Sequence, residues 1–536
     1  MSIFKSDRII KKITHDAGHS YKVPASTPYF CDIRGSSRIK LFENGVPLGP
    51  AHSVHGDIRN QGAGRYAHIY DQIYFSSSDN SDPRTNSRRY HISYIKPLAG
   101  DLFSWPTIER TLMSLELRWN NRLHPAPGPV SPDREFTSVQ YIGQLGPGGA
   151  ERQLCNLAVK LRDMGLKVIP LTTNALSGDY GHYCHYLREQ NLPDRMAVFH
   201  DIGTVVQRLA AHPGANGRWL KYLPPFIALK ILALINELMT SKPDVLHCWL
   251  DYPNIIGGLA GLIAGVPQII LSGRNVNPSH FDWMYYPWFL DWYRVLVKSR
   301  RILLINNSRN GAEDYARWLK LPVDRIPVIY NGLEFSQFQL ATHAAAMDFR
   351  KEINCPAGTP LIGGIFRLST EKRPLDFIMV FQRVKRTFRQ AKAVVAGIGP
   401  VEEEMRRSIE EAQLTNHILL LGRRTDVFTI MKACDVILLT SEHEGTPNVL
   451  LEAQYLGVPV VATRVGGTPE IVMDQLTGFL HPSGDIVGMA ESITAILENP
   501  ASGKRMGERG HQHITENFSV DKMANEYLKL YGFNKS

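Results

Sequence analysis

The 536-residue sequence predicts an α/β protein built from two doubly wound units, preceded by a small β-rich accessory domain. From residue 137 onward, short apolar runs alternate with helical patterns, as expected of parallel strands joined by crossover helices. Before residue 100, short alternating runs are instead separated by turn-forming clusters. A hydrophobic fraction of 43% and a charged fraction of 21% are typical of folded domains and exclude a disordered chain.

The first 100 residues carry hairpin signals. Short runs at residues 38–42 and 72–75 are separated by clusters at residues 43–45 and 76–83 that are rich in Asn, Gly, Ser and Asp. We therefore predict a β-rich accessory domain over residues 1–100. Residues 101–135 are predicted to hold a helix and a stiff proline-rich linker.

The two α/β units are predicted over residues 136–335 and 336–512, and residues 513–536 are expected to form a helix that packs back on the first unit. Strands are expected in the first unit at residues 138–142, 167–171, 245–249, 268–271, 302–306 and 328–330. In the second unit they are expected at residues 361–366, 393–396, 418–421, 436–439 and 458–462. Because such sheets bind ligands at the carboxyl ends of their strands, a ligand held by both units would lie in the cleft between them.

Charge and cysteine content narrow the class of protein. The 60 Lys and Arg against 51 Asp and Glu give a net charge of +9, a mild bias toward anionic partners. The basic residues form no run or recognised module, so no nucleic-acid partner is expected. The six cysteines stand singly, which suits a reducing compartment. With no apolar secretory signal and no run of about 20 apolar residues, we expect a cytoplasmic protein.

The most informative motif is Ser-Glu-His-Glu-Gly-Thr-Pro-Asn-Val-Leu-Leu-Glu at residues 441–452, which follows an apolar strand and opens a helix. Pro447 suits the first helical turn, and Thr446 can cap it. The free N–H groups of a first turn attract anions, which places a phosphate beside Pro447, Asn448 and Val449.

Two carboxylates flank this predicted phosphate site. Glu444 lies in the loop before the helix, and Glu452 lies about 7.5 Å along the helix from Pro447. Because carboxylates would repel a phosphate, we interpret them as acceptors for the hydroxyl groups of sugars at its two ends. The plain alternative is a capped surface helix with solvated acids.

A basic loop follows the first predicted strand of the second unit. Arg367 and Lys372, within residues 363–374, can neutralise a diphosphate. A departing nucleoside diphosphate gains negative charge in the transition state, so fixed cations here would lower the barrier. The alternative is a solvated basic loop.

Glu444 and Glu452, with seven residues between them, resemble the paired-glutamate signature of retaining GT-B glycosyltransferases, especially family 4. The resemblance runs from about residue 138 to the C-terminus. It implies the GT-B fold, in which two Rossmann-like domains face a cleft. It also implies that Glu452 binds the ribose of a nucleotide and that Glu444 binds hydroxyls of the donor sugar. Phe366 stands where the family commonly has Gly in its diphosphate element.

The resemblance assigns roles to this chain in three groups. The chemistry residues are Glu444, Arg367 and Lys372. The donor-binding residues are Glu452, Gly445, Thr446, Pro447, Asn448, Val449, Arg423, Gly148 and Gly149. The acceptor or cleft residues are His247, Arg274 and Asn275.

Several of these assignments have open alternatives. Arg423 lies in a loop that resembles the one framing the nucleobase. Gly148 and Gly149 can let a ligand approach the backbone, or can simply form a tight turn. His247 matches the first residue of the family's His-x-His, but Trp249 replaces the second, so His247 can equally be a core residue. Arg274 and Asn275 end the next strand and are candidate acceptor or phosphate contacts.

An aromatic stretch at residues 281–293 is followed by basic residues at positions 294–301. This pattern suits a membrane interface or a sugar-stacking surface. The alternative is a helix packed into its own domain.

The predicted function is a retaining glycosyltransferase that moves a sugar from a nucleotide-sugar, expected to be UDP-linked, to a glycan or lipid-linked acceptor. The build is similar to bacterial capsule and exopolysaccharide transferases, which implies other polysaccharide-assembly proteins as partners and contact with the inner face of the membrane. UDP-N-acetylgalactosaminuronic acid would be compatible with the pI of about 9.1. The chain has no Asp-x-Asp pair, so we predict metal-independent turnover and no cofactor beyond the nucleotide-sugar co-substrate.

Two other functions fit parts of the pattern. A phosphorylase or epimerase with the same fold is the rival enzyme, and a phosphorylase of the glycogen type would need a lysine carrying pyridoxal phosphate. A catalytically inactive GT-B scaffold or sugar-binding protein is the alternative outside the enzymes.

Overall fold

The structure is a computed structural model that describes residues 5–9, 13–24, 40–44, 46–49, 55–69, 72–95, 135–174, 178–192, 195–197, 225–281, 284–286 and 288–533. The chain forms two compact units, Met1–Leu115 with Asn216–Lys230 and Glu116–Ala215 with Ile231–Ser536. The predicted helix and proline-rich linker within residues 101–135 lie outside the described residues, apart from residue 135 itself.

The N-terminal compact unit contains two four-stranded antiparallel sheets, ordered β1-β8-β4-β5 and β2-β3-β7-β6. The strands are β1 (Lys5–Ile9), β2 (Thr14–Ala17), β3 (Ser20–Pro24), β4 (Lys40–Glu43), β5 (Val46–Pro47), β6 (Tyr66–Ile69), β7 (Gln72–Phe75) and β8 (Tyr90–Ile95), with α1 (His55–Asn60) before β6. Residues from both sheets, including Leu41, Ile73, Phe75 and Tyr90, form one apolar cluster. The predicted β-rich N-terminal part is confirmed.

The other, larger compact unit holds both parallel sheets. The first of them has six strands, ordered β11-β10-β9-β12-β13-β14. Its strands are β9 (Thr137–Ile142), β10 (Lys167–Thr172), β11 (Arg195–Met196), β12 (Val245–Trp249), β13 (Gln268–Gly273) and β14 (Ile302–Asn306). Its helices are α2 (Gly149–Asp163), α3 (Cys184–Glu189), α5 (Asp251–Ile263), α6 (Phe289–Leu296) and α7 (Arg309–Leu319), and α4 (Pro225–Ser241) belongs to this unit from Ile231 onward. We call this part the first domain.

A second six-stranded parallel sheet follows, ordered β17-β16-β15-β18-β19-β20. Its strands are β15 (Leu361–Ile365), β16 (Lys392–Ala396), β17 (Ile418–Gly422), β18 (Val436–Leu439), β19 (Val460–Thr463) and β20 (Gly478–His481). The helices are α8 (His343–Glu352), α9 (Pro374–Thr387), α10 (Glu402–Glu411), α11 (Val427–Ala433), α12 (Asn448–Tyr455), α13 (Thr468–Ile471), α14 (Ile486–Glu498) and α15 (Pro500–Asn517). We call this part the second domain.

The central strands are near-continuous apolar runs because helices cover both faces of each sheet. All four residues of β18 are buried, as are all five of β12. The predicted strand at residues 328–330 was wrong: Val328 forms a single bridge with Asn306 and the chain then leaves the sheet. The sequence analysis also missed two edge strands: β11, at one edge of the first parallel sheet, and β20, at one edge of the second.

The last helix, α16 (Val520–Tyr531), lies against α2 of the first domain. The Tyr531 hydroxyl is hydrogen-bonded to Nδ1 of His247, the middle residue of β12, at 2.8 Å. The Leu333 N–H donates to the Phe518 carbonyl oxygen at 2.8 Å, and the Val520 N–H donates to the Leu333 carbonyl oxygen at 2.9 Å. The C-terminal helix is therefore part of the first domain's core.

Each sheet has one point where the strand order reverses. In the first domain it lies between β9 and β12, and in the second between β15 and β18. Ligands of doubly wound sheets bind beside such points, at the carboxyl ends of the strands. No described helix is both long and apolar enough to span a bilayer.

Candidate active site

The loops that follow β15 and β18 are joined at the reversal point of the second sheet. Thr440 Oγ1 donates to the carbonyl oxygens of Lys372 and Arg373 at 3.0 and 3.1 Å. The Glu442 N–H donates to the Glu371 carbonyl oxygen at 2.8 Å. These contacts bring the predicted basic loop and the predicted glutamate motif into one place.

Glu444 and Lys372 form an ion pair at this point. Lys372 Nζ lies 2.5 Å from Glu444 Oε1, and Ser441 Oγ donates to the same oxygen at 2.6 Å. Glu444 is only 5% exposed, whereas Arg367 lies exposed on the loop directly after β15. One predicted acid and two predicted cations are thus placed at the same edge of the sheet.

The start of α12 differs in detail from the prediction. The helix begins at Asn448, and Pro447 takes the N-cap position with extended φ and ψ of −72° and 110°. Thr446 does not cap the helix, because its hydroxyl donates to the Asn307 carbonyl oxygen of the first domain. The hydroxyl therefore binds a backbone oxygen from across the cleft, and the first N–H groups of α12 keep no side-chain cap.

Asn448 is held by the first domain. Its Oδ1 accepts from Asn331 Nδ2 at 2.7 Å and from Gln153 Nε2 at 3.2 Å. Its Nδ2 donates to the Gly149 carbonyl oxygen at 3.3 Å. Asn331 Nδ2 also donates to the Thr446 carbonyl oxygen at 2.9 Å. The predicted phosphate-binding turn is therefore aligned by contacts across the cleft.

Gly445 makes the closest approach between the two domains in this loop. A Cβ atom built there would lie 2.3 Å from the Arg274 carbonyl oxygen and 2.8 Å from Asn307 Oδ1. On the other side, the Gly467 N–H donates to the Gly445 carbonyl oxygen at 2.8 Å. Only glycine allows the backbones to come this near.

Glu452 faces the first domain and is paired there. Its Oε1 accepts from Arg152 Nη2 of α2, and its side chain is only 3% exposed. Burial raises the pKa of the Glu452 carboxyl above its ordinary value, and the charge and hydrogen bond of Arg152 oppose that rise. The guanidinium carbon of Arg152 also lies 5.8 Å from the centre of the Phe428 ring on α11.

The glycine turn before α2 lies at the same place. The Glu151 carboxyl folds over Gly148, because a Cβ on Gly148 would lie 2.0 Å from Glu151 Oε2. Burial raises the pKa of Glu151 to about 7. Gly149 faces Asn448, and a Cβ built there would lie only 3.0 Å from Asn448 Nδ2, a tight contact.

His247 is a core residue and does not line the cleft as predicted. It is fully buried, stacked on Trp249 at 4.6 Å between ring centres and bonded to Tyr531. Burial, together with the nearby Arg274 charge, holds its pKa well below 6.5. The C-terminal helix, over 200 residues away in sequence, is what covers it.

The Arg274 backbone reaches the site at Gly445, whereas Asn275 makes its hydrogen bonds within the first domain. The Arg274 guanidinium is buried 4.5 Å from the Trp249 ring centre and donates to Asn331 Oδ1. The Asn275 side chain accepts from the Val276 N–H at 2.8 Å. Arg274 thereby orients Asn331, which in turn holds Asn448.

The remaining predicted residues lie outside this cluster. Arg423 is exposed after β17, while its neighbour Arg424 pairs with Asp426 and Glu352. In the aromatic stretch, Phe281, Phe289 and Tyr293 are buried, whereas Tyr285, Tyr286, Trp288 and Trp292 are half-buried. Part of the stretch therefore packs into its own domain.

The sequence analysis missed several residues that bridge the cleft, among them Arg152, Gln153, Asn307 and Asn331. Arg152 and Gln153 lie in the first turn of the helix after the glycine turn, Asn307 follows the end of β14, and Asn331 directly follows residues that were misread as a strand. Polar residues just past a glycine turn or a strand end were the available signal. Within the described ranges, no group of three or more His, Cys, Asp or Glu side chains is placed to hold a metal ion.

Both domains match known protein families. The family Glycosyltransferase Family 4 matches residues 147–337, and the family Glycosyl transferases group 1 matches residues 347–513. Together the two matches cover about two thirds of the chain.

Two curated relatives belong to bacterial polysaccharide synthesis. The Vi polysaccharide biosynthesis protein VipC/TviE of Salmonella typhi is 27% identical over 408 residues, which cover 72% of this chain and 70% of the relative. The capsular polysaccharide biosynthesis glycosyltransferase CapM of Staphylococcus aureus is 28% identical over 318 residues, covering 56% of this chain and 80% of the relative.

Solved structures match the fold. Anabaena Alr3699/HepE in complex with UDP-glucose superposes with a TM-score of 0.60 at 21% identity, covering 73% of this chain and 98% of the other. The sucrose-phosphate synthase of Thermosynechococcus elongatus gives a TM-score of 0.56 at 18% identity, covering 74% of this chain and 98% of the other.

Proposed function

Since this chain belongs to the GT-B glycosyltransferases, with a family 4 domain followed by a group 1 domain, we propose that it is a retaining transferase with a UDP-sugar donor. The proposed acceptor is a glycan or lipid-linked glycan in bacterial capsule or exopolysaccharide synthesis. The observation that carries the proposal is the Glu444–Lys372 ion pair beside the uncapped start of α12, at the reversal point of the second sheet.

Donor binding follows from the charges at this point. The N–H groups at the start of α12 favour an anion, which suits the diphosphate. Arg367 and Lys372 would lie beside its oxygens and neutralise them. Glu444, in the loop before α12, would then accept hydrogen bonds from the donor sugar, and Glu452, within α12, from the ribose.

The chemistry proposed for this site needs no protein nucleophile. The bond between the anomeric carbon and the β-phosphate oxygen breaks, and the oxygen keeps the electron pair. The acceptor hydroxyl oxygen bonds to the anomeric carbon on the same face, and its proton passes to the departing phosphate. Arg367 and Lys372 stabilise the charge that develops on this leaving group.

Related proteins support the choice of donor and pathway. The Salmonella typhi relative is a Vi polysaccharide biosynthesis protein, and Anabaena Alr3699/HepE has been solved with UDP and with UDP-glucose. We take UDP-N-acetylgalactosaminuronic acid as the first candidate donor, and the pI of about 9.1 is compatible with an acidic product without selecting it. Contact with the inner membrane face and other polysaccharide-assembly proteins is proposed on the same grounds, with half-buried Tyr286 and Trp288 as the membrane-facing candidates.

The test is a thermal-shift screen of UDP-sugars, each compared with UDP, followed by a UDP-release assay. A donor that binds the folded state raises the melting temperature, so the sugar is found without knowledge of the acceptor. We expect Glu452→Ala to weaken UDP binding by roughly 1.5–3 kcal/mol, the worth of hydrogen bonds to a charged group. An inverted anomeric centre in the product would refute the retaining course, and UDP binding without transfer to any acceptor would indicate a sugar-binding protein.

A further inference from the structure

Arg152 contacts two elements of the nucleotide site from the opposite domain. It lies on α2 and donates to Glu452 Oε1 on α12. Its guanidinium carbon is also 5.8 Å from the ring centre of Phe428, the second residue of α11, which follows the loop compared above with the nucleobase loop. The two helices that carry these contacts are packed together in the second domain.

The charge state of the buried Glu452 carboxyl depends on its contact with Arg152. Glu452 is buried, and burial alone favours its neutral, protonated form. A neutral carboxylic acid is a poorer acceptor for ribose hydroxyls than a carboxylate, because charge-assisted hydrogen bonds are about twice as strong. In the described part of the chain, the titratable groups recorded near Glu452 are Arg152 and Tyr183, both from the first domain, and Glu151 lies near Tyr183.

We propose that Arg152 is a positioning residue for nucleotide binding, which keeps Glu452 ionised and aimed at the ribose from across the cleft. The inference rests on the proposed role of Glu452 as the ribose contact. Because Arg152 belongs to the first domain and Glu452 to the second, full nucleotide affinity requires the two domains to be closed.

Tyr183 does not replace this function. Burial raises the pKa of its hydroxyl to about 12, so it stays neutral at physiological pH. Removing Arg152 would therefore leave Glu452 without a cation, and an unpaired buried carboxylate takes up a proton more readily. We therefore expect an Arg152 variant to lose more UDP affinity at low pH than at high pH.

The experiment measures UDP affinity by calorimetry at pH 6.5, 7.5 and 8.5 for the full chain and for Arg152→Ala. The ratio of variant to wild-type Kd is used, so that the titration of the UDP phosphates cancels. We expect a ratio of about ten at pH 6.5 that falls to about three or less at pH 8.5. Arg152→Gln should behave like Arg152→Ala, and it serves if the alanine variant does not fold.

Two control variants separate charge from structure. Arg152→Lys keeps the positive charge and should give a ratio that changes little with pH. Lys160→Ala removes a different ion pair of the same helix, with Asp521, and should leave the ratio near one.

Three results decide the matter. A pH-independent loss of affinity in Arg152→Ala would make its role merely structural and overturn the proposal. Unchanged or tighter UDP binding in that variant would also overturn it, because Arg152 would then compete with the nucleotide. If instead Glu452→Gln binds UDP as well as wild type does, the proposed ribose contact itself fails, which is a separate outcome from failure of Arg152 alone.

Discussion

Replacing Gly445 by alanine should open the cleft by a calculable distance. The new Cβ would lie 2.3 Å from the Arg274 carbonyl oxygen, whereas ordinary contacts begin at 3.4 Å, so the atoms must separate by about 1 Å. Neither partner moves freely. The Arg274 oxygen accepts from Asn307 Nδ2 at 3.3 Å, and the Gly445 carbonyl oxygen accepts from the Gly467 N–H at 2.8 Å.

The cost of Gly445→Ala should appear in the reaction rate. A misplacement of 1 Å between reacting groups can lower a rate by about 10²-fold. The overlap lies between the two domains, and Gly445 does not have a left-handed φ, so the core of each domain and the melting temperature should change little. UDP affinity should fall as well, because the Arg152–Glu452 contact needs the closed cleft, but by less than the rate, because most of the proposed UDP contacts lie in the second domain.

The assay is UDP release under saturating donor, together with thermal melting and UDP calorimetry. Gly143→Ala is the matched control, since its Cβ would meet only the Pro253 side chain, at 3.7 Å, which is an ordinary contact. We expect the control to keep its rate within a few-fold. A Gly445→Ala variant with at least half of the wild-type rate would refute the closed arrangement of the loop.

Three further predictions concern the proposed catalytic cation Arg367, the buried His247 and the metal dependence of turnover. Arg367→Ala should lower kcat more than it weakens donor binding, and equal losses in both would remove Arg367 from the transition state. The pKa of His247 is held well below 6.5, so the unfolded chain binds a proton that the folded chain excludes. Stability should therefore fall as the pH drops below about 6.5, and His247→Gln should flatten that fall in thermal melting; parallel curves would contradict the assignment. Finally, EDTA should leave UDP release unchanged, and a loss restored by added divalent cation would show that turnover needs a metal.

The sequence by itself determined the fold class and the edge of the sheet at which the predicted site residues lie. Apolar runs such as β12 and β18 are buried on both faces, and such runs alternating with helices can hardly form anything but parallel sheets. Ligands bind at the carboxyl ends of such strands, so the sequence alone places Glu444, Lys372 and Asn448 at one edge of the second parallel sheet. These inferences are local, because each depends on a strand and the loop directly after it.

Only the tertiary structure decided which residues face one another. Glu452 pairs with Arg152, 300 positions away, and Asn448 is held by Asn331 and Gln153. His247 is a core residue because α16 returns to cover it, which no pattern around His247 could indicate. Contacts between distant segments depend on how two domains and a C-terminal helix pack, and a sequence read in short windows carries no signal for that packing.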